Sequence, residues 1–518
     1  MDLPERFNAA SFFVDRHVSE GREARTVFRF AGRSMSYGEL ADLVARAAGA
    51  LAESGLEIEQ RVLLVLDDSP AFAAAFWGAA KLGAVAVPVN TLMTEAEYAF
   101  LLDDSRARVA VVQADAAPRV LAARGRCPWL RAVFVVGGES PGARGWEDAL
   151  ERAKPLDDAP PTFREDILYW GYTSGSTGKP KAALHSHKDF VAAAELVGVG
   201  IFGLGPDDVV FSASKLYFAF GLGNTLYFPQ RVGAASVLVP ERVTPELAFE
   251  VITRERPTLF FTVPTLYARM LEVPDAERRF DCSSLRFCVS SGEALPPALF
   301  DAWADRFGLE LVEVVGSTEA LHDFIANQPG HARRGSAGRL VPGFEARLVD
   351  DADAPVPAGV TGHLLIKGEP TSPGYWNRLE RTRRTMLGEW LRTGDMFRVD
   401  ADGWFYFEGR SDDMLKVGGQ WVSPAEVEAH LVAHPTVLEA GVVGIDDARG
   451  LMMPCAYVVL KGGRVASPEL AAQLREFVRG RVAGFKVPGR IEFVPDLPKT
   501  ATGKVQRFRL RGAAAARP

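Results

Sequence analysis

Apolar residues enter the chain in short continuous runs that alternate with stretches of helical periodicity. The run 62–66, the start signal Ser69-Pro70, a helix reaching Leu82, Gly83 as terminator and the β-branched run 84–89 predict a strand–helix–strand unit. Thr94 and Glu97 stand at capping-box spacing and open another helix, and 109–112 reads as a further buried strand. Strands that alternate with helices predict parallel sheets covered on both faces, a doubly wound α/β arrangement. After about residue 340 the texture changes to short strands between Gly and Pro turns, as in Gly362-His363-Leu364-Leu365-Ile366 and Gly403-Trp404-Phe405-Tyr406-Phe407, which predicts a small β-rich subdomain. Beyond Gly409 come a helix over 424–433, strands over 440–443 and 455–460, a helix over 468–481 capped by Ser467, and a strand over 491–494. That is an α+β module of ordinary small-domain size.

Composition narrows the partners. At 518 residues a large core and at least one further domain are expected. A net charge of −7 with 24% charged and 47% hydrophobic residues, and no basic run, gives no reason for a nucleic-acid partner. Cys127, Cys282, Cys288 and Cys455 are too scattered for a disulfide framework and lack the paired spacing of a zinc site, so reduced, mostly buried thiols are expected. The first residues carry no apolar stretch, and the apolar region 71–89 is broken by Lys81, Gly83 and Pro88. Neither a secretory signal nor a membrane span is read, and a cytoplasmic location is expected.

Chemistry concentrates first in Tyr172-Thr173-Ser174-Gly175-Ser176-Thr177-Gly178-Lys179-Pro180-Lys181, directly after the apolar run 167–170. Glycines let backbone amides approach a polyanion, hydroxyls donate hydrogen bonds and lysines offset charge, so such a loop suits a triphosphate. Proline after Lys179 and the glycine spacing exclude the P-loop pattern, and a flexible polar loop is the bland alternative. Four later segments are each ordinary when taken alone: Gly316-Ser317-Thr318-Glu319, Leu391-Arg392-Thr393-Gly394-Asp395, Gly409-Arg410-Ser411-Asp412-Asp413-Met414-Leu415-Lys416-Val417-Gly418-Gly419, and Leu497-Pro498-Lys499-Thr500-Ala501-Thr502-Gly503-Lys504.

Together, and in this order, the five segments resemble the adenylate-forming superfamily of acyl-CoA synthetases, carrier-protein-loading adenylation domains and luciferases, over nearly the whole chain. The resemblance implies that Thr173, Ser174, Gly175, Ser176, Thr177, Gly178 and Lys181 hold the β- and γ-phosphates of Mg·ATP. It implies that Thr318 contacts the α-phosphate, that Glu319 helps to hold Mg²⁺, a hard cation shared with phosphate oxygens, and that Asp395 accepts the ribose hydroxyls. Many relatives carry an aromatic residue where Val315 stands, so adenine falls to the backbone around Ser291, Gly292, Glu293 and Ala294. Ala182 replaces a common glycine. Arg410 would reach the nucleotide, Asp412 would be a hinge, Val417, Gly418 and Gly419 would line the thiol tunnel for coenzyme A, and Lys504 would be the essential lysine. The implied division is a large N-terminal domain, 1–411, with its β-rich subdomain from about 340, and a small mobile C-terminal domain, 412–518.

The segment Lys215-Leu216-Tyr217-Phe218-Ala219-Phe220-Gly221-Leu222-Gly223-Asn224 resembles the benzoate-CoA ligase branch, with Phe220 where that branch usually has tyrosine. The likeness implies that Phe218, Ala219, Phe220 and Gly221, with Gly316, shape a short, flat apolar slot for an aromatic carboxylic acid. The bare pattern reads equally as a core strand. Asp323 stands where benzoate ligases usually show an apolar residue. If 318–326 is helical, Glu319, His322 and Asp323 share one face and Asp323 approaches the site. A carboxylate there is costly without a donor, which points to a ring amino or hydroxyl group and to 2-aminobenzoate as the sharper expectation; pairing with a lysine or exposure to solvent is the alternative. His322 either packs neutral or orients the substrate carboxylate. The expected enzyme is an aryl-CoA ligase, with benzoate as another acid, a carrier-protein thiol as another acceptor, and a homodimer left open.

Overall fold

The computed structural model describes residues 2–173, 180–417, 420–446, 451–499, 505–507 and 509–511. The predicted strand–helix–strand unit forms as Arg61–Val65, Pro70–Leu82 and Val85–Pro88, its helix opened by the Ser69 side chain accepting from the Phe72 amide. Around it a seven-stranded sheet runs in the order Arg144–Gly145, Ala132–Val136, Val109–Gln113, Arg61–Val65, Val85–Pro88, Ile167–Thr173, Lys181–Ser186. From Arg61–Val65 the chain builds first to one side and then to the other, so the strand order reverses there, and ligand crevices open at the carboxyl ends of such strands.

A second, nine-stranded sheet has a parallel centre of Ala235–Val237, Val209–Ser212, Leu259–Thr262, Phe287–Ser290 and Leu311–Gly316. One apolar cluster, including Phe76, Trp77, Tyr169, Phe190, Tyr227 and Phe228, joins the two sheets. The β-rich part is a five-stranded antiparallel sheet of Glu345–Val349, Gly362–Lys367, Met386–Leu387, Trp390–Val399 and Phe405–Arg410. The C-terminal part packs helices Pro424–Val432 and Pro468–Arg479 on the sheet Val437–Asp446, Met452–Leu460, Arg490–Phe493, around apolar clusters of its own. Its contacts with the large part include ion pairs: Arg269 lies 3.6 Å from Glu439 and 3.7 Å from Asp496, and Lys461 lies 3.7 Å from Glu272.

Two expectations are corrected. Residues 318–326 are not a helix: one 3₁₀ turn, Thr318–Ala320, is capped by Ser317, Leu321 takes a φ of 64°, and Asp323–Ala326 returns as a strand. Antiparallel pairing of Val314 with Ala326, Val315 with Ile325 and Gly316 with Asp323 supplies the backbone partners that a helix would have forgone. Glu319, His322 and Asp323 therefore do not share a helical face. The aromatic segment is likewise no core strand; it is a loop leading into a helical run that begins as Ala219–Leu222 and continues through Gly223–Tyr227 to Phe228–Val232. The cysteines are free, three of them buried and Cys282 partly so. Among the described residues no helix is long and apolar enough to cross a membrane.

Candidate active site

The end of the Ile167–Thr173 strand brings Thr173 to the start of the hydroxyl-rich loop; Ser174, Gly175, Ser176, Thr177 and Gly178 lie outside the described residues. The Thr173 Oγ1 atom is buried without a hydrogen-bond partner among the described residues. Such an orphaned hydroxyl suits a phosphate oxygen. Lys181, opening the next strand, donates to Glu319 Oε1 at 2.9 Å and also bonds the Tyr375 hydroxyl. Tyr375 in turn donates to Glu319 Oε1 at 2.7 Å. Burial pushes the Glu319 carboxyl upward, but the Lys181 charge and the Tyr375 hydroxyl outweigh it and hold the group at about 2. Glu319 thus stays an anion over the working range. It is one hard donor, and among the described residues no trio of His, Cys, Asp or Glu could hold a metal ion by itself, so Mg²⁺ fits here only with phosphate oxygens or water completing its shell.

Thr318 is fixed from behind: His185 Nε2 donates to its carbonyl at 2.7 Å, while His185 Nδ1 faces Asp189 Oδ2 at 3.2 Å. Asp395 and Arg410 are cross-strand neighbours, and Arg410 donates to Asp395 Oδ1 at 2.8 Å. The Arg410 charge is felt at Lys181 and it feels that of Glu319, so phosphate-side and ribose-side candidates form one electrostatic neighbourhood. Ser291, Gly292, Glu293 and Ala294 form the loop after the Phe287–Ser290 strand, with Ser291 Oγ donating to the Val314 carbonyl at 3.0 Å. From the C-terminal domain, Arg507 feels the charge of Glu293. Lys504, Gly418 and Gly419 lie outside the described residues; Val417 ends the strand Leu415–Val417, and Asp412 is exposed in the turn after Phe405–Arg410.

Glu313, on the strand that ends at Gly316, accepts the Leu295 amide at 2.9 Å beside the Ser291–Ala294 loop. Burial pushes its carboxyl from 4.5 up to about 8. The folded protein then keeps this proton between those values while the unfolded chain gives it up, so the contribution is fully present below the unfolded value and is lost as pH rises through about 8. Thermal stability should fall across that window in the native protein and fall less in Glu313→Gln, as read by calorimetric Tm against pH.

Two glycines make room for His322 and Asp323. A Cβ at Gly316 would lie 2.4 Å from the His322 carbonyl oxygen and 2.7 Å from Asp323 Oδ1, and one at Gly223 would strike the His322 ring at 2.3 Å. The His322 ring stands between Phe220 and Phe228, centroids 5.5 and 4.4 Å away, with Nε2 donating weakly to the Phe220 carbonyl at 3.3 Å. Asp323 is 2% exposed. Its Oδ2 lies 2.9 Å from His322 Nδ1 but out of line for a hydrogen bond, and both atoms lack a hydrogen-bond partner among the described residues. Asp323 is thus neither turned to solvent nor paired with a lysine among the described residues; its near neighbour is the His322 ring.

A family model for AMP-binding enzymes matches residues 14–376, and one for the AMP-binding enzyme C-terminal domain matches 426–504. The chain belongs to the AMP-binding enzyme family. Among curated relatives, a benzoate–CoA ligase of Thauera aromatica is 45% identical over 99% of this chain and 97% of its own. Among solved structures, the anthranilate CoA ligase AuaEII in complex with anthranoyl-AMP matches with a TM-score of 0.96 at 42% identity, covering 99% of this chain and 98% of that one. A benzoate CoA ligase from Burkholderia xenovorans LB400 matches with a TM-score of 0.91 at 42% identity, over 98% of this chain and all 100% of that one. For an AMP-binding enzyme, sequence reading missed Tyr375, which bonds both Lys181 and Glu319 yet lies 194 residues from Lys181; its one trace is the aromatic pair Tyr375-Trp376 after Gly374.

Proposed function

We propose that this aryl-CoA ligase activates 2-aminobenzoate. The acid's carboxylate attacks the α-phosphorus of Mg·ATP to give the aryl adenylate and pyrophosphate, and the thiol of coenzyme A then attacks the mixed anhydride to give aryl-CoA and AMP. Thr173 and Lys181, with Ser174, Gly175, Ser176, Thr177 and Gly178, would hold the outer phosphates, Asp395 and Arg410 the ribose side, and Ser291 to Ala294 the adenine. Thr318 would meet the α-phosphate. Mg²⁺, when bound beside Glu319, would offset phosphate charge. Lys504 would counter the charge that builds as carboxylate and phosphate approach. The domain boundary is placed at Asp412, in support of which the two family models end at 376 and begin at 426.

The observation that carries the choice of acid is the buried Asp323 oxygen that receives no hydrogen bond, His322 Nδ1 lying close but out of line. An ortho amino group would donate to it, whereas benzoate leaves it unsatisfied at a cost of roughly 1–3 kcal/mol. Phe218, Ala219, Phe220 and Gly221 would flank the ring, and His322, held between two phenylalanines, would orient it. The test is Asp323→Leu. The native enzyme should favour 2-aminobenzoate over benzoate by about ten- to a hundredfold in kcat/KM, and the variant should lose that preference by improving benzoate and weakening the amino acid substrate together. A native preference for benzoate, or an unchanged ratio in the variant, would take Asp323 out of acid recognition.

A further inference from the structure

A second buried charged pair lies at the carboxyl end of the Arg61–Val65 strand, where the order of the first sheet reverses. Asp68 is 2% exposed; its Oδ1 accepts the Leu216 amide at 2.9 Å and its Oδ2 lies 3.7 Å from Lys215 Nζ. The same Nζ donates to the carbonyls of Val239, of Pro240 at 3.2 Å and of Glu241 at 2.7 Å. The main chain of Lys215 is engaged as well. Its carbonyl accepts the Phe218 amide at 3.0 Å and lies under Gly221, where a Cβ would come within 2.2 Å of it. Lys215 is thus a hub that ties the first sheet and the segment 239–241 to the aromatic segment.

Ahead of the continuous helical run 219–232, residues 213–218 form neither helix nor strand, so their own secondary structure does not fix where Phe218 and the start of that helix stand. Their geometry has to be imposed from outside. We propose that Asp68 and Lys215 are positioning residues for the aromatic slot: without touching the acid, they fix the backbone of 215–221 so that Phe218 and Phe220 stand at the spacing a flat ring requires. The proposal rests on the reading of 218–221 as the acid's slot. Burying a carboxylate and an ammonium is a poor way to gain stability alone, so a positional role accounts for a pair that apolar packing would replace.

Burial pushes the Asp68 carboxyl up to about 6, against the pull of Lys215. The other titratable groups facing it are Asp67, whose Oδ1 is taken by Thr91 at 3.1 Å, and Tyr217, with Asp115 and Glu241 acting on Asp67 from further out. Acidification through about 6 should therefore weaken the hold on Lys215. Steady-state kinetics of Asp68→Asn, Lys215→Met and Phe220→Ala against pH test this. With the best acid of a benzoate panel, Asp68→Asn and Lys215→Met should raise the KM for the acid about tenfold while the KM for ATP and kcat hold within about twofold. The native enzyme should lose acid affinity on going below about pH 6, and Asp68→Asn should lack that limb, the substrate's own titration cancelling in the comparison. An equal rise in the KM for ATP, an unchanged acid KM in a folded variant, or a limb retained in Asp68→Asn overturns the proposal. Phe220→Ala separates the two readings: an unchanged acid KM there removes the slot and the proposal with it, whereas a raised one beside an inert Asp68→Asn removes the positioning pair alone.

Discussion

Replacing Lys504 by alanine is expected to cut formation of the aryl adenylate by about 10²–10³-fold, the scale of losing one charge-stabilising group aimed at a transition state. Thioester formation from supplied aryl adenylate should largely survive. The attacking carboxylate and the α-phosphate both carry negative charge, and a cation between them matters only while they approach; once the mixed anhydride exists, the thiol meets a neutral carbonyl. Arg507, close to Lys504 in sequence, feels the Glu293 charge and pairs with Glu428 at 2.7 Å, so the described part of this segment faces the loop assigned to adenine. Single-turnover assays of the two half-reactions check the result. Equal loss in both would mean that Lys504 serves some other step.

Asp412→Pro is expected to have the opposite profile, with adenylation retained and acyl transfer to coenzyme A reduced by about 100-fold or more, a barrier increase of roughly 2.7 kcal/mol. Proline fixes φ at its own position and restricts the residue before it, so a rotation centred there is blocked without altering any catalytic side chain. Asp412 is the third residue of its turn, where proline disfavours the helical conformation of Ser411, so a check that the variant is folded accompanies the assay. Asp412 is exposed, and the turn is held by the Asp413 and Met414 amides, each 2.9 Å from the Arg410 carbonyl, and by the Ser411 amide, 2.9 Å from that of Gly394. The ion pairs of Arg269 with Asp496 and of Lys461 with Glu272 across the domains are surface contacts of the kind that a moving interface can exchange. If both half-reactions fall together, the pivot lies elsewhere or the small domain has lost its fold.

Local signals made most of the architecture legible. The Pro70–Leu82 helix begins at a Ser-Pro start and stops at a glycine, Thr94 with Glu97 forms the expected capping box, and Ser467 caps Pro468–Arg479. The 318–323 region was misjudged because its conformation is set by pairing with the Leu311–Gly316 strand, a tertiary demand that periodicity cannot register. Asp323 nevertheless lies beside Gly316 and His322, the other residues proposed for the acid site, through strand pairing and not through a shared helical face. Tyr375 and Asp68 were illegible for want of locality: their partners lie 194 and 148 residues away, and neither stands in a motif that composition marks. The hydroxyl-rich loop was conspicuous in the sequence because glycine, hydroxyl and lysine side chains at that density suit a polyanion, although a flexible polar loop has the same composition and Ser174 to Gly178 lie outside the described residues.

The most direct measurement is AMP release by the native enzyme with Mg·ATP and a panel of substituted benzoates, with and without coenzyme A, with the acyl product identified by mass. The account predicts multiple turnover only when coenzyme A is present, 2-aminobenzoyl-CoA as the preferred product, and slower turnover of benzoate. No turnover of any benzoate, or AMP release that ignores coenzyme A while the acyl group passes to a carrier-protein thiol, would contradict it.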